Sequence, residues 1–547
     1  MATSGDIQDT SGPPSTPVDM EDVKDAPTPD IHNISQKLER ARRVYKDFER
    51  VEEQPTNVEI TLWYLYGMCS YFVHTVLIPI LFPLIVSQVV SLPKEPKNGW
   101  YESDTGNPCR EKEMRVFQAL IQKSISVGEV NLSPLGLTGI SWAAGILVSA
   151  PILGYLAPHL DHGESQHLIF GIATAVGGLV CLPVGFFGVK WIFPPYIAAV
   201  VIASVVTTAS HTRHLGLMVR GFTTSTTRNR QFPERRSVSS WLSLHATAAG
   251  CLGAGIISAF IYRMLHHNEK FMSLWIVSIF SGLKWIVGTV HAFSAMRPGV
   301  LPSSRGNSPS VWSHIFSIFK YPHAAGSLVA VFLSSFTSTS IFTGGILYIV
   351  GELCLKPVYF LSLWLIYFIF PLFSLPLLHP LQLLAKTDAV RMKLLGLLVS
   401  ATTSGLGYYF RKGNWNGPHI FIIVAIQSTA AGILHAFGRG LVLDCTPPRK
   451  EGVFSAWYSL VRTLGACGGF AVASAFPKNI TKSFSVAFYT SMAGVLVLIF
   501  GNISNYGGAV AAGHVKEEDK GENELDWNGE DSGLVHMKAI EERHGEA

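Results

Sequence analysis

Long apolar stretches with almost no charged residues recur along the whole 547-residue chain. Each has about 20 residues or more, the length that an α-helix needs to cross the hydrocarbon core of a bilayer. Because a bilayer offers no partners for free peptide groups, we expect these stretches to be membrane-spanning helices. The predicted spans, about twelve, are 62–92, 135–157, 168–187, 191–211, 238–262, 271–295, 324–350, 358–380, 390–410, 418–438, 452–476 and 483–505.

The overall composition excludes several other classes of protein. Hydrophobic residues make up 48% of the chain and charged residues 15%, and the mean hydropathy is +0.31. The net charge of +4 is small and forms no continuous basic surface, so we exclude nucleic-acid binding. The seven cysteines contain no C-x-x-C motif, so we predict no metal site and no cofactor. We expect a monomeric, multi-pass membrane protein whose partners are the lipid bilayer and a small-molecule substrate.

Two segments, one in each half of the chain, share a sequence pattern. Trp-Leu-Ser-Leu-His-Ala-Thr begins at Trp241, and Trp-Tyr-Ser-Leu-Val-Arg-Thr begins at Trp457. Each segment follows a turn that contains proline and arginine. In a chain this apolar, such a repeat indicates two related halves of a membrane protein. The predicted fold is therefore all-α, with twelve transmembrane helices in two pseudo-symmetric six-helix bundles.

Tails and loops divide the chain into five segments. We predict a cytosolic tail at 1–57, six-helix bundles at 58–296 and 322–508, a cytosolic linker at 297–321 and an acidic disordered tail at 509–547. The pattern at 34–53 predicts a helix. This helix either is amphipathic and lies on an anionic membrane surface or is exposed to solvent. Lys and Arg concentrate before the first span and in the loops after the fourth, sixth, eighth and tenth spans. The positive-inside rule places these loops and both termini in the cytosol.

The turn after the second span resembles a known motif. Residues Gly154 to Ala157 read Gly-Tyr-Leu-Ala, and Asp161 and Gly163 follow. This pattern is similar to the G-x-L-A-D-x-x-G loop of the major facilitator superfamily, whose transporters have twelve spans in two halves. It departs from that loop at Pro158, where the superfamily has aspartate, and it lacks the trailing basic residue.

Within that superfamily the chain resembles the autophagy-related vacuolar amino-acid effluxers. Its first span opens with an aromatic pattern, Trp-Tyr-Leu-Tyr from Trp63, that is similar to theirs. The connection from the tenth to the eleventh span matches their pattern R…P…E-x-x-F-x-x-x-Y at Arg439, Pro447, Glu451, Phe454 and Tyr458.

The resemblance implies a transporter that moves amino acids or another carboxylate by alternating access. It also implies efflux from the vacuole and a location in the vacuolar membrane, with the plasma membrane as the alternative. Spans one, four, seven and ten are expected to line the substrate cavity. The residues expected to act in conformational change are Gly154, Asp161, Arg439, Asp444 and Glu451.

Charged residues in the middle of a span are candidates for function, because each costs roughly 2.5–3.5 kcal/mol on insertion scales. Arg462 in the eleventh span and Lys284 in the sixth are such residues. No Asp or Glu lies at mid-span, so any proton coupling is expected to use a histidine. Arg462 therefore has an anionic substrate as its expected partner. Pairing with helix-end carbonyls is the alternative for Arg462, and snorkelling to the interface is the alternative for Lys284.

Polar residues on other spans are further candidates for substrate binding. They are Tyr64, Ser70 and His74 on the first span, His245 on the fifth, Ser335, Ser338 and Thr339 on the seventh, and Gln427 and His435 on the tenth. For each of them, packing between helices is the alternative, since small hydroxyl residues allow helices to approach closely.

Two other functions remain as alternatives. The pairs His159-x-x-His162, His211-x-x-His214 and His266-His267 resemble parts of a membrane diiron enzyme. The predicted topology places the last pair on the opposite side of the membrane, which disfavours a shared metal centre. A transporter-like receptor or scaffold is the other alternative. Cys109 and Cys354 fall on one predicted side, and whether they pair stays open.

Overall fold

The computed structural model describes residues 53–90, 101, 103, 108–163, 165–186, 188–223, 231–267, 274–295, 297, 311–320, 322–355, 357–410, 417–446, 450–501 and 503. The helix predicted at 34–53, apart from residue 53, and the tail predicted at 509–547 lie outside these ranges. Within them, a helix stands at each of the twelve predicted spans.

The twelve long helices are labelled α1 to α12. They are α1 Asn57–Val89, α2 Pro134–His162, α3 Gln166–Val180, α4 Phe193–Thr223, α5 Gln231–His267, α6 Leu274–Val287, α7 Pro322–Gly351, α8 Pro357–Leu384, α9 Ala389–Tyr409, α10 Gly417–Asp444, α11 Glu451–Ala475 and α12 Ile480–Phe500. In the described ranges, nine helices are long and apolar enough to cross a membrane. Among the nine, α6 is long enough when it is counted together with the short helix that follows it, as Leu274–Phe293. Of the other three, α3 is shorter, and α9 and α11 are long enough but less apolar.

Short elements connect the long helices. One helix, Glu111–Ile121, lies in the loop between α1 and α2. After it, strand β1, Ile125–Val127, pairs with strand β2, Val130–Leu132, in a small antiparallel hairpin. The sequence does not predict these strands. The remaining pieces are the helices Val290–Ala295 and Val311–Phe316 and the 3₁₀ turns Pro183–Phe186, Lys190–Ile192 and Ser317–Lys320.

A π-helical segment interrupts α1. Regular α-helix runs over Asn57–Ser70, the wider π turn covers Val73–Leu81, and α-helix resumes over Phe82–Val89. Pro79 lies inside the π segment and has no N–H to donate, so a regular helix could not be kept there without losing a hydrogen bond. The π turn places the first polar residue of the segment, His74, on the inward side of the bundle, where it is buried.

The repeated pattern forms the same hydrogen bonds in both halves. On α5, Ser243 Oγ donates to the Ala436 carbonyl of α10 over 2.8 Å. On α11, Ser459 Oγ donates to the Val205 carbonyl of α4 over 2.7 Å. The threonine four residues later donates to the serine carbonyl in both copies. Each copy therefore fastens its own half to a helix of the other half, as a two-fold related pair of bundles requires.

The end of the bundle at which α1 begins is called the near end, and the opposite end is the far end. At the far end, Cys109 and Cys354 form a disulfide with their Cα atoms 5.0 Å apart. This settles the pairing that the sequence left open. The disulfide ties the loop that carries the helix Glu111–Ile121 to the connection between α7 and α8, and Phe117 packs against Gly351 beside it.

Candidate functional site

A cavity of about 870 Å³ lies between the two halves and is called the central cavity. It is bounded by α1, α5, α7, α8, α10 and α11, so both halves contribute to its wall. Its polar lining is Tyr71, His74, Thr75, Ser334, Ser335, Ser338, Thr339, Tyr367, Ser428, His435, Tyr458, Arg462 and Thr463. The serines and threonines of α7 form one continuous face of hydroxyl groups, with spacing of three and four residues that matches one side of a helix.

A second cavity of about 450 Å³ adjoins the first towards the near end and is called the near-end cavity. It is lined by Tyr66, Gly67, Ser70, Tyr71, His74, Thr208, His211, Ala246, His435, Arg439, Tyr458 and Arg462. The residues shared by both cavities are Tyr71, His74, His435, Tyr458 and Arg462. These shared residues mark one polar site near the middle of the bundle.

The lining of this site carries positive charge without negative charge. Arg462 and Arg439 line it, together with His74, His211 and His435. No aspartate or glutamate is among the described residues that line either cavity. In a medium of low dielectric, an arginine without a carboxylate partner attracts an anion strongly. The site is therefore suited to an anionic group.

Arg439 is held in place by its neighbours on α10 and α1. Its Nη2 lies 2.9 Å from His435 Nε2, one helical turn away. Its guanidinium lies 5.5 Å from the centre of the Trp63 ring, a cation–π contact. Trp63 in turn donates from Nε1 to the His211 carbonyl over 3.2 Å and stacks on the His211 ring at 4.6 Å. The aromatic pattern that opens α1 thus orients one arginine of the site.

His74 has one nitrogen satisfied and one without a partner. Its Nε2 lies 2.7 Å from Ser204 Oγ of α4. Its Nδ1 is buried and has no hydrogen-bond partner among the described residues. A buried imidazole nitrogen that lines a cavity is available to a bound molecule, because leaving it unpaired is costly.

Comparison of the two copies of the repeat distinguishes Arg462 from the corresponding residue of the first half. The position that corresponds to it in the first copy is Ala246, and Ala246 also lines the near-end cavity. The two halves therefore present related positions to one site, but only the second half carries a charge there. A cation needed only for packing would be expected in both copies, whereas a cation that binds a substrate group need appear once.

The structure brings together seven of the predicted substrate-binding residues. They are Ser70, His74, Ser335, Ser338, Thr339, His435 and Arg462, and all line one or both cavities. The last residue of the hydroxyl run of α7, Ser340, instead contacts Ser483 of α12, at 3.5 Å between hydroxyl oxygens. Cavity lining and helix packing therefore occupy different faces of the same helix.

Four predicted residues lie away from these cavities. Lys284 donates from Nζ to the Gly253 carbonyl over 2.6 Å and lies 4.8 Å from the Phe72 ring centre. Gln427 is bonded to Thr403 and borders a separate apolar cavity within the second half. The rings of His245 and Tyr64 lie 6.4 Å apart, and His245 Nδ1 contacts the Trp241 carbonyl at 2.9 Å.

Ion pairs close the bundle at the near end. Arg297 binds both carboxylate oxygens of Glu59, at 2.8 and 3.0 Å, and His214 Nε2 lies 2.9 Å from the same carboxylate. Arg220 of α4 pairs with Glu451 of α11. Because the second pair joins the two halves, it must break if the near end is to open.

Asp161 at the end of α2 makes a second connection across the halves. Its carboxylate accepts hydrogen bonds from the backbone N–H groups of Gly452 and Val453, in the first turn of α11. It also lies 2.9 Å from Nε2 of His314, in the helix Val311–Phe316, which is called the linker helix. These amides have no partner within their own helix, and the helix dipole favours a negative charge at this position. Asp161 thus provides an acidic contact although Pro158 occupies the expected aspartate position.

The other residues expected to act in conformational change lie at the same end. A side chain at Gly154 would meet Ile315 of the linker helix at 2.8 Å, so this glycine lets the linker helix approach α2 closely. Asp444 at the end of α10 interacts electrostatically with Arg235 and Arg236 of α5. Glu451 and Asp444 therefore form a related pair of contacts, one from α11 to α4 and one from α10 to α5.

Several residues of the site did not stand out in the sequence. The sequence pattern indicates His211 only as part of a possible metal-binding pair, and it gives no indication of Tyr71 or Thr208. The repeat marks which faces of α5 and α11 turn inward, but these residues lie on α1 and α4. The chain offered no comparable repeat for α1 and α4.

A third cavity, of about 1,120 Å³ and mostly apolar, lies at the far end. It shares Pro79 with the central cavity, and the loop helix Glu111–Ile121 covers it through Val116, Phe117 and Leu120. The polar site is therefore bordered by ion pairs on one side and by an apolar chamber on the other.

The structure shares its fold with that of the human organic anion transporter MFSD10 (TETRAN). The TM-score is 0.51 and the sequences are 13% identical, and the match covers 81% of this chain and 100% of that chain. No family model and no curated protein matches the sequence. The chain is thus an all-α, multi-pass integral membrane protein with the major facilitator fold, in agreement with the fold predicted from its sequence.

Proposed function

We propose that this protein transports a small organic anion across the membrane by alternating access. The observation that supports this most is the charge of the two adjoining cavities, which are lined by two arginines and three histidines and by no acidic residue among the described residues. A carboxylate is the simplest group of this charge, and arginine binds it through two parallel hydrogen bonds. The neighbour of known structure, MFSD10, is itself described as an organic anion transporter.

The arrangement of contacts supports alternating access. Related hydrogen bonds join α5 to α10 and α11 to α4, so the two halves are equivalent partners around one site. An ion pair and a carboxylate that caps the start of α11 close the near end. From the positive-inside rule we expect this end to face the cytosol. Gly469 permits α11 to touch the backbone of α7 at Phe336, which allows the two helices to pack closely.

The enzyme alternative has little support from the geometry. His211 faces the near-end cavity and contacts the Trp63 carbonyl, whereas His214 contacts Glu59, so the two imidazoles bind different partners. In the described part of the chain, no group of three potential ligands could hold a metal ion. A transport assay distinguishes a carrier from a receptor that has the same fold.

Uptake by proteoliposomes tests the proposal. Purified protein is reconstituted, and the uptake of labelled L-lactate, benzoate and L-glutamate is compared with that of a neutral sugar. Arg462→Ala removes a bidentate contact worth about 3 kcal/mol, so uptake at low substrate concentration should fall about 100-fold. The matched control is Arg391→Ala, which removes an exposed arginine at the start of α9 and should leave uptake unchanged. Uptake of a neutral sugar but of no anion would refute the proposal.

A more specific version of this proposal is that the protein exports amino acids from the vacuole. The resemblance to the vacuolar effluxers supports this version. Two residues of that resemblance, Arg439 and Tyr458, line the near-end cavity, and a third, Glu451, pairs with Arg220. Imaging of the tagged protein in cells, followed by amino-acid release from isolated vacuoles with and without the protein, tests this form. Location at the plasma membrane alone would contradict it.

A further inference from the structure

Lys393 in α9 is fully buried, with 0% of its surface exposed. Its Nζ has no hydrogen-bond partner among the described residues. Lys284 on α6, which is half-buried, differs in this respect, because a carbonyl and an aromatic ring contact its amine. A buried ammonium group without an acceptor is costly, so a buried lysine without a partner requires an explanation.

The Lys393 amine lies directly behind the wall of the central cavity. A Cβ atom at Gly438 would stand 3.1 Å from Lys393 Nζ and 3.7 Å from Val331 Cγ2. Both Gly438 and Val331 line the central cavity. The wall at this point is therefore one residue thick, and its thinnest part is a glycine. An anion in the cavity would lie close enough to interact with the amine across low-dielectric material.

The surroundings of the amine are otherwise apolar. Val390 and Leu397, on the same face of α9 as Lys393, belong to a buried apolar cluster with residues of α7, α10 and α12. The titratable or charged side chains described on the helices packed against α9 are Tyr348 of α7, the exposed His419 together with His435, Arg439 and Asp444 of α10, Cys445 just after α10, and Lys482 and Tyr489 of α12. Of these, His435 and Arg439 line the cavities and Asp444 interacts with α5. Tyr489 adjoins Phe488, which contacts Tyr409 at the opposite end of α9.

We propose that Lys393 is a proton-binding site that couples proton movement to anion transport. The inference rests on the proposed function, because an anion in the central cavity is what favours the charged amine. With the cavity empty, the neutral amine fits its apolar surroundings. When an anion enters, the amine takes one proton from water and becomes ammonium, and it returns that proton when the anion leaves. Anion and proton then cross together in a ratio of one to one.

Linkage makes this coupling reciprocal. If an anion promotes binding of a proton at Lys393, a proton must strengthen binding of the anion by the same factor. The dissociation constant of the anion should therefore rise with pH, by up to tenfold per pH unit where one proton is taken up. The positive charge that appears on Lys393 offsets the charge of the anion, so the net charge of the site is the same when the cavity is empty and when anion and proton are both bound.

Proton uptake on binding provides the test. Purified full-length protein in detergent, in weak buffer near pH 7, is mixed with L-lactate, benzoate or L-glutamate while the pH is recorded, and the bound anion is measured by calorimetry. The wild type should take up about one proton for each anion bound. Lys393→Met should bind the anion more weakly and take up no proton. Lys393→Arg, which stays charged, should bind the anion without proton uptake, and the exposed Lys482→Met should behave as wild type.

The possible results separate the two proposals. Failure of the wild type to bind any of the three anions would overturn the proposed function and this inference with it. Anion binding without proton uptake by the wild type would overturn only the role of Lys393. The same holds if Lys393→Met still takes up one proton and His435→Gln abolishes the uptake, because the cavity histidine would then be the proton site.

Discussion

Replacing Asp161 should open the near end of the bundle. The carboxylate accepts two backbone N–H groups of α11, from Gly452 and Val453, and contacts His314 at 2.9 Å. A hydrogen bond to a charged group contributes about 1.5–3 kcal/mol, so the two amide bonds together contribute about 3–6 kcal/mol. Because 1.4 kcal/mol is a tenfold change, Asp161→Ala should raise the local opening constant of the first turn of α11 by about 10²–10⁴.

Hydrogen–deuterium exchange measures this opening directly. A peptide that contains Gly452 and Val453 should exchange slowly in the wild type and at least 100-fold faster in Asp161→Ala, as the cited bond energies imply. The matched control is Asp388→Ala, which removes the cap of α9, where the carboxylate accepts the Arg391 N–H over 2.8 Å. It should cost about 1 kcal/mol and affect only the start of α9. Unchanged exchange at Gly452 in Asp161→Ala would refute the reasoning.

Three further predictions concern stability. Lys393→Met should raise the melting temperature by a few degrees, as an apolar side chain replaces a buried polar group that lacks a partner, and a lower value in a thermal scan would contradict this. Cys109→Ser should lower the melting temperature, because the disulfide joins residues with a sequence separation of 245 and such links contribute about 2–4 kcal/mol. Equal melting temperatures of the variant and the wild type would contradict this. Glu59→Gln should cost about 3–5 kcal/mol, because it leaves Arg297, whose side chain is 12% exposed, partly unpaired. A stability within about 1 kcal/mol of wild type in denaturant unfolding would refute this.

The arrangement of spans could be predicted from sequence because one strong constraint controls it. Peptide groups in a bilayer must be bonded within a helix, so length and hydropathy suffice whatever the tertiary packing. Arg462 could be selected for a similar reason, since a charge in the middle of an apolar stretch has few explanations. The repeat correctly linked Ser243 with Ser459, and the structure shows them in matching hydrogen bonds between the halves.

The burial and the neighbours of individual side chains could not be predicted from the sequence, because they depend on which helices meet in the folded protein. Lys393 stands three residues into the predicted ninth span, where snorkelling to water is the ordinary expectation, yet the fold buries it completely. Gln427 looked equally suited to a substrate cavity and packs instead against Thr403. The role of Asp161 as a cap on α11 depends on a helix some 290 positions further along the chain, as the sequence separation of its bond to Gly452 shows. Neither hydropathy nor local pattern reports such neighbours.

Binding of benzoate compared with benzamide tests the central claim most directly, because the two molecules have nearly the same shape and differ in charge. If the arginine-lined site binds an organic anion, wild-type protein should bind benzoate at least tenfold more tightly than benzamide, a difference of about 1.4 kcal/mol. Arg462→Ala should lose this preference, and Arg391→Ala should keep it. Equal affinity of the wild type for both molecules, or a preference that survives in Arg462→Ala, would contradict the account.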